Sequence, residues 1–338
     1  MSEGETGQPL AHSRRFRIAG LLISVLSLAG VALWALNQPA PKLPDDDAGW
    51  LAFAGALGAY AVATGLRSER WLALLRRDGI DARRADAWGL TVVGFMGNNI
   101  IPARGGDALS AYLMSNRTQT RFRYTVASLI AMRLLDVLVL VGVYLIVAHG
   151  LLSGVEVPGG SLLGLELAIL AVLASLAVAF WLAVRRGHFP AAGRLMGELL
   201  GTTRRLTGGH GLAMLGVTVL IWAAEAATLL LCARAVGFDV TALESLYLIG
   251  LAGIFVLIPS GPGYAGTLDA ALLFGARAIG ASSSLALSFL LIARFVVFVP
   301  ITLLGLLLML TTYGWDSFGL RGAGEPEAAG SPSPGTAQ

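Results

Sequence analysis

The stretch that decides the fold is residues 94–113, GFMGNNIIPARGGDALSAYL, which lies in an apolar chain yet cannot form an ordinary membrane span. Pro102 removes a backbone donor and disfavours the α conformation at the preceding residue. The pair Gly105-Gly106 permits a turn with positive φ. Non-helical backbone at membrane depth is tolerated only where protein buries it or water reaches it. The stretch is therefore predicted to form a re-entrant helical hairpin, at about 88–114, whose broken tip lines a polar cavity.

The composition indicates an all-α polytopic membrane protein. Of the 338 residues, 56% are hydrophobic and 13% are charged, whereas soluble domains carry about 25% charged residues. The polar ends, 1–13 and 317–338, are predicted to be disordered cytoplasmic segments that flank one transmembrane domain at 14–316. Windows of about 20 apolar residues predict six full spans. They lie at about 17–36, 48–66, 126–148, 162–184, 211–232 and 284–312.

Arginine placement orients the spans through the positive-inside rule. The N-terminal segment and the loops at 67–87, 115–125 and 185–210 are rich in arginine and are expected to be cytoplasmic. This orientation requires the hairpin to enter and leave on the cytoplasmic side. The protein is thus predicted to lie in the inner (cytoplasmic) membrane with both termini in the cytoplasm. The basic segment from Arg67 to Arg84 is predicted to be a short interfacial helix at an anionic leaflet.

A second interrupted region, GIFVLIPSGPGYAGTLDAALLFG at Gly253–Gly275, repeats the order of the first: an Ile-Pro pair, a glycine-rich turn and a short helix. Each half, about 14–150 and 160–316, then has three spans and one hairpin. Because three crossings are an odd number, the second half has the opposite orientation in the membrane. This pattern predicts an inverted-topology repeat, as in many secondary transporters. The matched residues are Ile101-Pro102 with Ile258-Pro259, Asp107-Ala108 with Asp269-Ala270, and Arg133 with Arg294.

Three motifs carry a family resemblance. They are Asn99-Ile-Ile-Pro102-Ala-Arg104-Gly-Gly106-Asp107, Arg133-Leu-Leu-Asp136 and Ile258-Pro259-Ser-Gly261-Pro262-Gly263-Tyr-Ala-Gly266-Thr267-Leu-Asp269. In these the chain resembles, over roughly 15–315, the flippase-like family, which is also named for the transmembrane domain of lysylphosphatidylglycerol synthases (MprF-type proteins). The chain departs from the family at Met132 and Asp269, where glutamate is common, and an aminoacyl-transferase domain is not expected. The resemblance implies lipid translocation or an allied membrane role, and it does not imply synthase activity.

Ionisable groups inside the membrane are functional candidates, because each costs at least ~2.5 kcal/mol at the bilayer centre. Arg104, Arg133 and Arg294 are predicted to line a site for a lipid phosphate, which the planar guanidinium fork holds well. Arg133 and Asp136 share a helix face, so an ion pair that braces two helices is the equal alternative. Glu225 is expected to pair with an arginine, and the alternatives are a protonated, inert side chain and a proton carrier in coupled transport.

The remaining candidate residues form the two helix breaks or hydrogen-bond the backbone groups that the breaks leave free. Asn98 and Asn99 are expected to satisfy the broken backbone, with substrate contact as the second possibility. Asp107 and Asp269 are favoured as helix caps. The structural set for breaks and caps comprises Pro102, Gly105, Gly106, Asp107, Pro259, Gly261, Gly263, Gly266 and Asp269.

Three functions fit these features. The first is a flippase or transporter for an anionic phospholipid or lipid-linked headgroup. The others are an ion-coupled small-solute transporter and a non-transporting partner of a lipid-modifying enzyme or glycosyltransferase. Membrane lipids are the expected partners, with a homo-oligomer also possible, and no nucleic acid is expected. The sequence has no Walker A loop, no GxSxG elbow and no metal-ligand histidine spacing, so neither catalysis nor a metal or cofactor is expected.

Overall fold

The computed structural model describes residues 42–101, 104–152, 209–256 and 262–314, and this part of the chain is helical. A short 3-10 turn (Pro262–Tyr264) precedes α7, and a π-helical turn (Met309–Tyr313) follows α8. The helices are α1 (Asp47–Arg77), α2 (Arg84–Ile100), α3 (Gly105–Thr118), α4 (Phe122–Leu152), α5 (Gly209–Ala235), α6 (Ala242–Val256), α7 (Thr267–Ala278) and α8 (Ser283–Leu308).

Four of these helices are long and apolar enough to cross a membrane: α1, α4, α5, and α8 with its terminal turn. They contain four of the six predicted spans, those at 48–66, 126–148, 211–232 and 284–312. The protein is therefore a multi-pass helical membrane protein. Several predictions fall outside the described residues: the spans at 17–36 and 162–184, the tails at 1–13 and 317–338, and the breaks at Pro102, Pro259 and Gly261.

Helix α1 corrects one sequence prediction. It begins at a side-chain cap, because the Asp46 carboxylate accepts a 2.7 Å hydrogen bond from the Gly49 N–H, and it runs unbroken for 31 residues. The prediction of a separate interfacial helix in the basic segment is wrong. No Gly or Pro interrupts residues 66–77. Arg67 and Arg70 stay in the helix because carboxylates of other helices neutralise them inside the protein.

The first interrupted region consists of α2 and α3, which pack closely against each other. Ile101 is extended (φ −99°, ψ 128°), and Arg104 adopts the left-handed conformation (φ 56°, ψ 37°). The contact depends on Gly106, because a Cβ there would lie 2.0 Å from the Gly94 carbonyl oxygen. With 17 and 14 residues, the two helices are roughly 25 and 21 Å long. Each is shorter than a bilayer core of about 30 Å.

The second interrupted region consists of α6, the 3-10 turn and α7. Gly263 (φ 64°), Tyr264 (φ 55°) and Gly266 (φ 84°) all have positive φ, a conformation that a right-handed helix does not contain. Helices α6 and α7 have 15 and 12 residues, so they are roughly 22 and 18 Å long. The second region thus repeats the two short helices and positive-φ break of the first.

Two apolar clusters hold these regions in place. The larger packs α6 and α7 against α4, α5 and α8 through buried residues such as Leu248, Ala271 and Phe289. The other packs α1, α2 and α3 around Leu75, Val93, Met114 and other residues, and it reaches the π-helical turn at Met309. Each interrupted region therefore has its own apolar support.

Candidate functional site

A cavity of about 170 Å³ lies where the two interrupted regions approach each other. It is lined by side chains from α1, α2, α4, α5, α6, α7 and α8 and from both breaks. Apolar groups such as Leu140, Ile249 and Phe298 make up much of its wall. All seven side chains predicted for substrate binding line this one cavity: Arg104, Arg133, Arg294, Asn98, Asn99, Asp136 and Glu225.

One ion pair links each break to the long helix that follows it, and the two pairs are equivalent. Arg133 Nη2 lies 3.1 Å from Asp107 Oδ1, and Arg294 Nε lies 2.5 Å from Asp269 Oδ1. In each pair the aspartate is the third residue of the helix after a break, and the arginine follows 26 or 25 residues later. The internal repeat predicted from the sequence pairs the same residues, Asp107 with Asp269 and Arg133 with Arg294. Both arginines also line the cavity.

The two aspartates differ in what else they bind. Asp269 Oδ2 accepts the Gly266 N–H at 2.8 Å, so its carboxylate caps α7 while it holds Arg294. Asp107 Oδ1 instead accepts from Asn98 Nδ2 at 2.9 Å, and the Asp107 N–H donates to Asn98 Oδ1 at 3.2 Å. The Asn98 side chain therefore hydrogen-bonds both the backbone N–H and the carboxylate of Asp107 at the first break. The amide of Asn99 donates to Thr302 Oγ1 at 2.8 Å and ties the same break to α8.

Helix α1 supplies two arginines in or beside the cavity, although the basic segment that contains them was predicted to lie at the membrane surface. Arg70 Nη1 lies 2.8 Å from Asp136 Oδ1, and their side chains are only 3% and 5% exposed. Arg67 pairs with Glu225, the only glutamate inside a predicted span of the described chain. The unbroken helical run after residue 66 is the sequence signal that could have placed both arginines in the membrane.

Aromatic rings surround the Arg67 guanidinium. Its Cζ lies 5.1 Å from the centre of the Trp222 ring and 5.7 Å from that of Phe95. Cation–π contacts of this kind strengthen where water is excluded. Arg67 is therefore held by a carboxylate and two rings, and both rings also line the cavity.

Arg104 is the exception among the cavity arginines. No carboxylate of the described residues lies within ion-pair distance of its guanidinium. Its Nη2 donates to the Val256 carbonyl oxygen at 3.3 Å, and its Cζ lies 5.5 Å from the centre of the Tyr264 ring. Both contacts reach the second interrupted region. Arg104 is also a non-glycine residue with positive φ, a strained conformation that clusters at functional sites.

Among the residues that the structure describes, these groups form a central charge network with an excess of one positive charge. It contains five guanidinium groups and four carboxylates. The arginines are Arg67, Arg70, Arg104, Arg133 and Arg294, and the acids are Asp107, Asp136, Glu225 and Asp269. A partly enclosed cavity with planar, permanently charged donors and a positive balance among its described groups suits an oxyanion such as phosphate. No cluster of three or more metal-ligating side chains occurs in the described part of the chain.

The buried Arg70–Asp136 pair yields a stability prediction. Asp136→Asn should destabilise the protein by about 3–5 kcal/mol, because it leaves the Arg70 charge buried without its counter-charge. The single cysteine, Cys232, is buried, so the rate at which a thiol reagent modifies it during heating in detergent reports unfolding. Glu69→Gln is the matched control, because it breaks a pair with the largely exposed Arg84 and should change that rate little. Equal thermal stability of both variants would contradict the buried-pair account.

This chain is similar to a known protein and to a protein family. A segment of 147 residues is 32% identical to "Glycosyltransferase AglD" of Haloferax volcanii; it is 43% of this chain and 23% of that protein. This chain thus spans less than a quarter of that relative. Residues 17–305 match the family described as "Lysylphosphatidylglycerol synthase TM region". This range covers most of the chain and every member of the central charge network, and the chain therefore belongs to the lysylphosphatidylglycerol synthase transmembrane-region family.

Proposed function

We propose that the protein is a lipid flippase or transporter that moves an anionic phospholipid or lipid-linked headgroup across the cytoplasmic membrane. The observation that carries the proposal is the cavity itself, in which arginines with an excess positive charge lie among apolar side chains at the junction of two helix breaks. A headgroup in this cavity meets charge complementarity, while its tails stay in lipid.

Arg133 and Arg294 are the proposed phosphate ligands, with Arg104 as the third. Each presents a fork of N–H donors that can hold phosphate oxygens in pairs. Their present acceptors are Asp107, Asp269 and backbone carbonyls. A phosphate can therefore share or replace acceptors that are already in place, which avoids leaving a buried guanidinium unsatisfied at any stage.

We further propose that the two interrupted regions are re-entrant and enter from opposite sides of the membrane. The short lengths of α2, α3, α6 and α7 support this, because each falls below the thickness of the bilayer core. The matched Asp–Arg pairs support an inverted repeat. In transporters with such repeats, the binding site lies near the midplane, where discontinuous helices meet. Rocking of one half against the other would expose the cavity to each side in turn.

A vesicle assay tests the proposed function. Purified protein is reconstituted with phosphatidylglycerol that carries a fluorophore on its acyl chain, and an impermeant reductant bleaches the outer-leaflet label. In protein-containing vesicles we expect the bleached fraction of the label to exceed the fraction that starts in the outer leaflet, because the protein moves label from the inner leaflet outward. A plateau equal to that of protein-free vesicles would contradict lipid translocation by this chain.

A membrane partner of a glycosyltransferase is the second candidate function. The observation that favours it is the similarity to part of a protein named as a glycosyltransferase. In this case the cavity would hold a lipid-linked headgroup for an enzyme instead of moving it. Affinity purification of the chain from its native membrane separates the two candidates. A stoichiometric glycosyltransferase partner, together with no translocation in vesicles, would favour the second candidate over the first.

A further inference from the structure

The excess charge in the central charge network can be assigned to one side chain. Four of the arginines face a carboxylate: Arg67 with Glu225, Arg70 with Asp136, Arg133 with Asp107, and Arg294 with Asp269. These four pairs cancel. Among the residues that the structure describes, the cation of the network that remains is Arg104.

The present contacts of Arg104 are ones that an anion can displace. The hydrogen bond to the Val256 carbonyl oxygen is long at 3.3 Å, and the contact with Tyr264 is a cation–π contact at 5.5 Å. Neither partner carries a negative charge. A phosphate oxygen offers the same donors a charged acceptor, and charge-assisted hydrogen bonds are roughly twice as strong as neutral ones.

From this balance we infer that the cavity selects a headgroup with one net negative charge, such as a phosphodiester, and that Arg104 is the residue that reads that charge. This inference deepens the proposed function and rests on it. A phosphodiester monoanion brings the described part of the network to neutrality. A dianionic phosphomonoester leaves one negative charge uncompensated, and a headgroup without net charge leaves Arg104 uncompensated. Both residual charges are costly because burial removes the water that would solvate them.

Lipid retention measured by native mass spectrometry tests the inference without requiring transport. The protein is released from micelles that contain equal amounts of three lipids at about pH 8, where a phosphomonoester is dianionic. The lipids are phosphatidylglycerol with one negative charge, phosphatidic acid with two, and phosphatidylcholine with none. The wild type should retain phosphatidylglycerol over each of the other two by about tenfold, the factor expected from one hydrogen-bonded charge.

Two variants should change the preference in opposite directions. Arg104→Gln removes the excess cation and leaves the described network neutral, so phosphatidylcholine should be retained over phosphatidylglycerol. Glu225→Gln keeps the side-chain shape and adds a second excess cation, so phosphatidic acid should become the preferred lipid. Asp269→Asn makes the same charge change at a different ion pair, and it replaces Glu225→Gln in the test if that variant does not fold. A general structural defect would weaken retention of all three lipids and would not reverse their order.

The outcomes separate the inference from the proposed function. An unchanged lipid order in Arg104→Gln and in both acid-to-amide variants would overturn charge selection, even if the vesicle assay shows translocation. The expected reversals without translocation would keep the charge-selective site and overturn the flippase proposal. Retention of none of the three lipids by the folded wild type would contradict both.

Discussion

Vesicles that contain the Arg133→Ala/Arg294→Ala double variant should translocate an anionic lipid at least ~100-fold more slowly than wild-type vesicles. A hydrogen bond to a charged group contributes roughly 1.5–3 kcal/mol, so the loss of two phosphate ligands has at least this effect. The two arginines hold equivalent positions in the two halves and line the same cavity. The measurement is the rate of label bleaching in the vesicle assay.

Controls distinguish a lost ligand from a damaged fold. Arg133→Lys/Arg294→Lys keeps both charges but loses the planar forks, so its rate should fall between wild type and the alanine variant. Arg234→Ala removes an exposed arginine that does not line the cavity, and it should match the wild type. A double alanine variant that expresses normally and translocates at the wild-type rate would count decisively against the phosphate role.

Gly106→Ala should prevent stable folding of the first interrupted region. A Cβ at this position would lie 2.0 Å from the Gly94 carbonyl oxygen and 2.3 Å from the Asn98 backbone nitrogen. These are backbone atoms of α2, so the clash can be relieved only if α2 and α3 separate. Overpacking of a core usually costs about 1–3 kcal/mol, and a clash with backbone should reach or exceed the upper end of that range.

The matched control for Gly106 is Gly142→Ala in α4, where nothing lies within 4 Å of the added Cβ. In a helix, alanine is favoured over glycine by about 1 kcal/mol, so this control should be as stable as the wild type or more so. Thermal unfolding followed through Cys232 compares the two variants. A Gly106→Ala protein that unfolds at the wild-type temperature would show that α2 and α3 do not pack as described.

The sequence was sufficient to predict the features that arise locally. Proline and glycine restrict the backbone wherever they occur, so the breaks between α2 and α3 and between α6 and α7 follow from residues 101–106 and 258–266 alone. Apolar runs of sufficient length likewise predicted the spans that α1, α4, α5 and α8 contain. Ionisable groups inside such runs are rare and costly. The five that were predicted to bind substrate or to form an ion pair all line one cavity: Arg104, Arg133, Arg294, Asp136 and Glu225.

The partners of those groups could not be predicted, because they come from distant parts of the chain. Arg67 and Glu225 are 158 residues apart, and Arg70 and Asp136 are 66 apart. Arginine near the end of an apolar run is also typical of the membrane surface, and only packing against α4 and α5 decides that these two are internal. The contact of Arg104 with Val256 is likewise visible only once the two breaks are placed side by side.

The orientation of the two interrupted regions can be measured directly by cysteine labelling in a Cys232→Ala background. Single cysteines at the exposed positions Arg83 and Asn116 mark the two ends of the first region, and Asp239 and Ala278 mark those of the second. In sealed cells, a membrane-impermeant thiol reagent should label both ends of the second region and neither end of the first. Labelling of only one end of either region would show a full crossing and would contradict two opposed hairpins around a shared cavity.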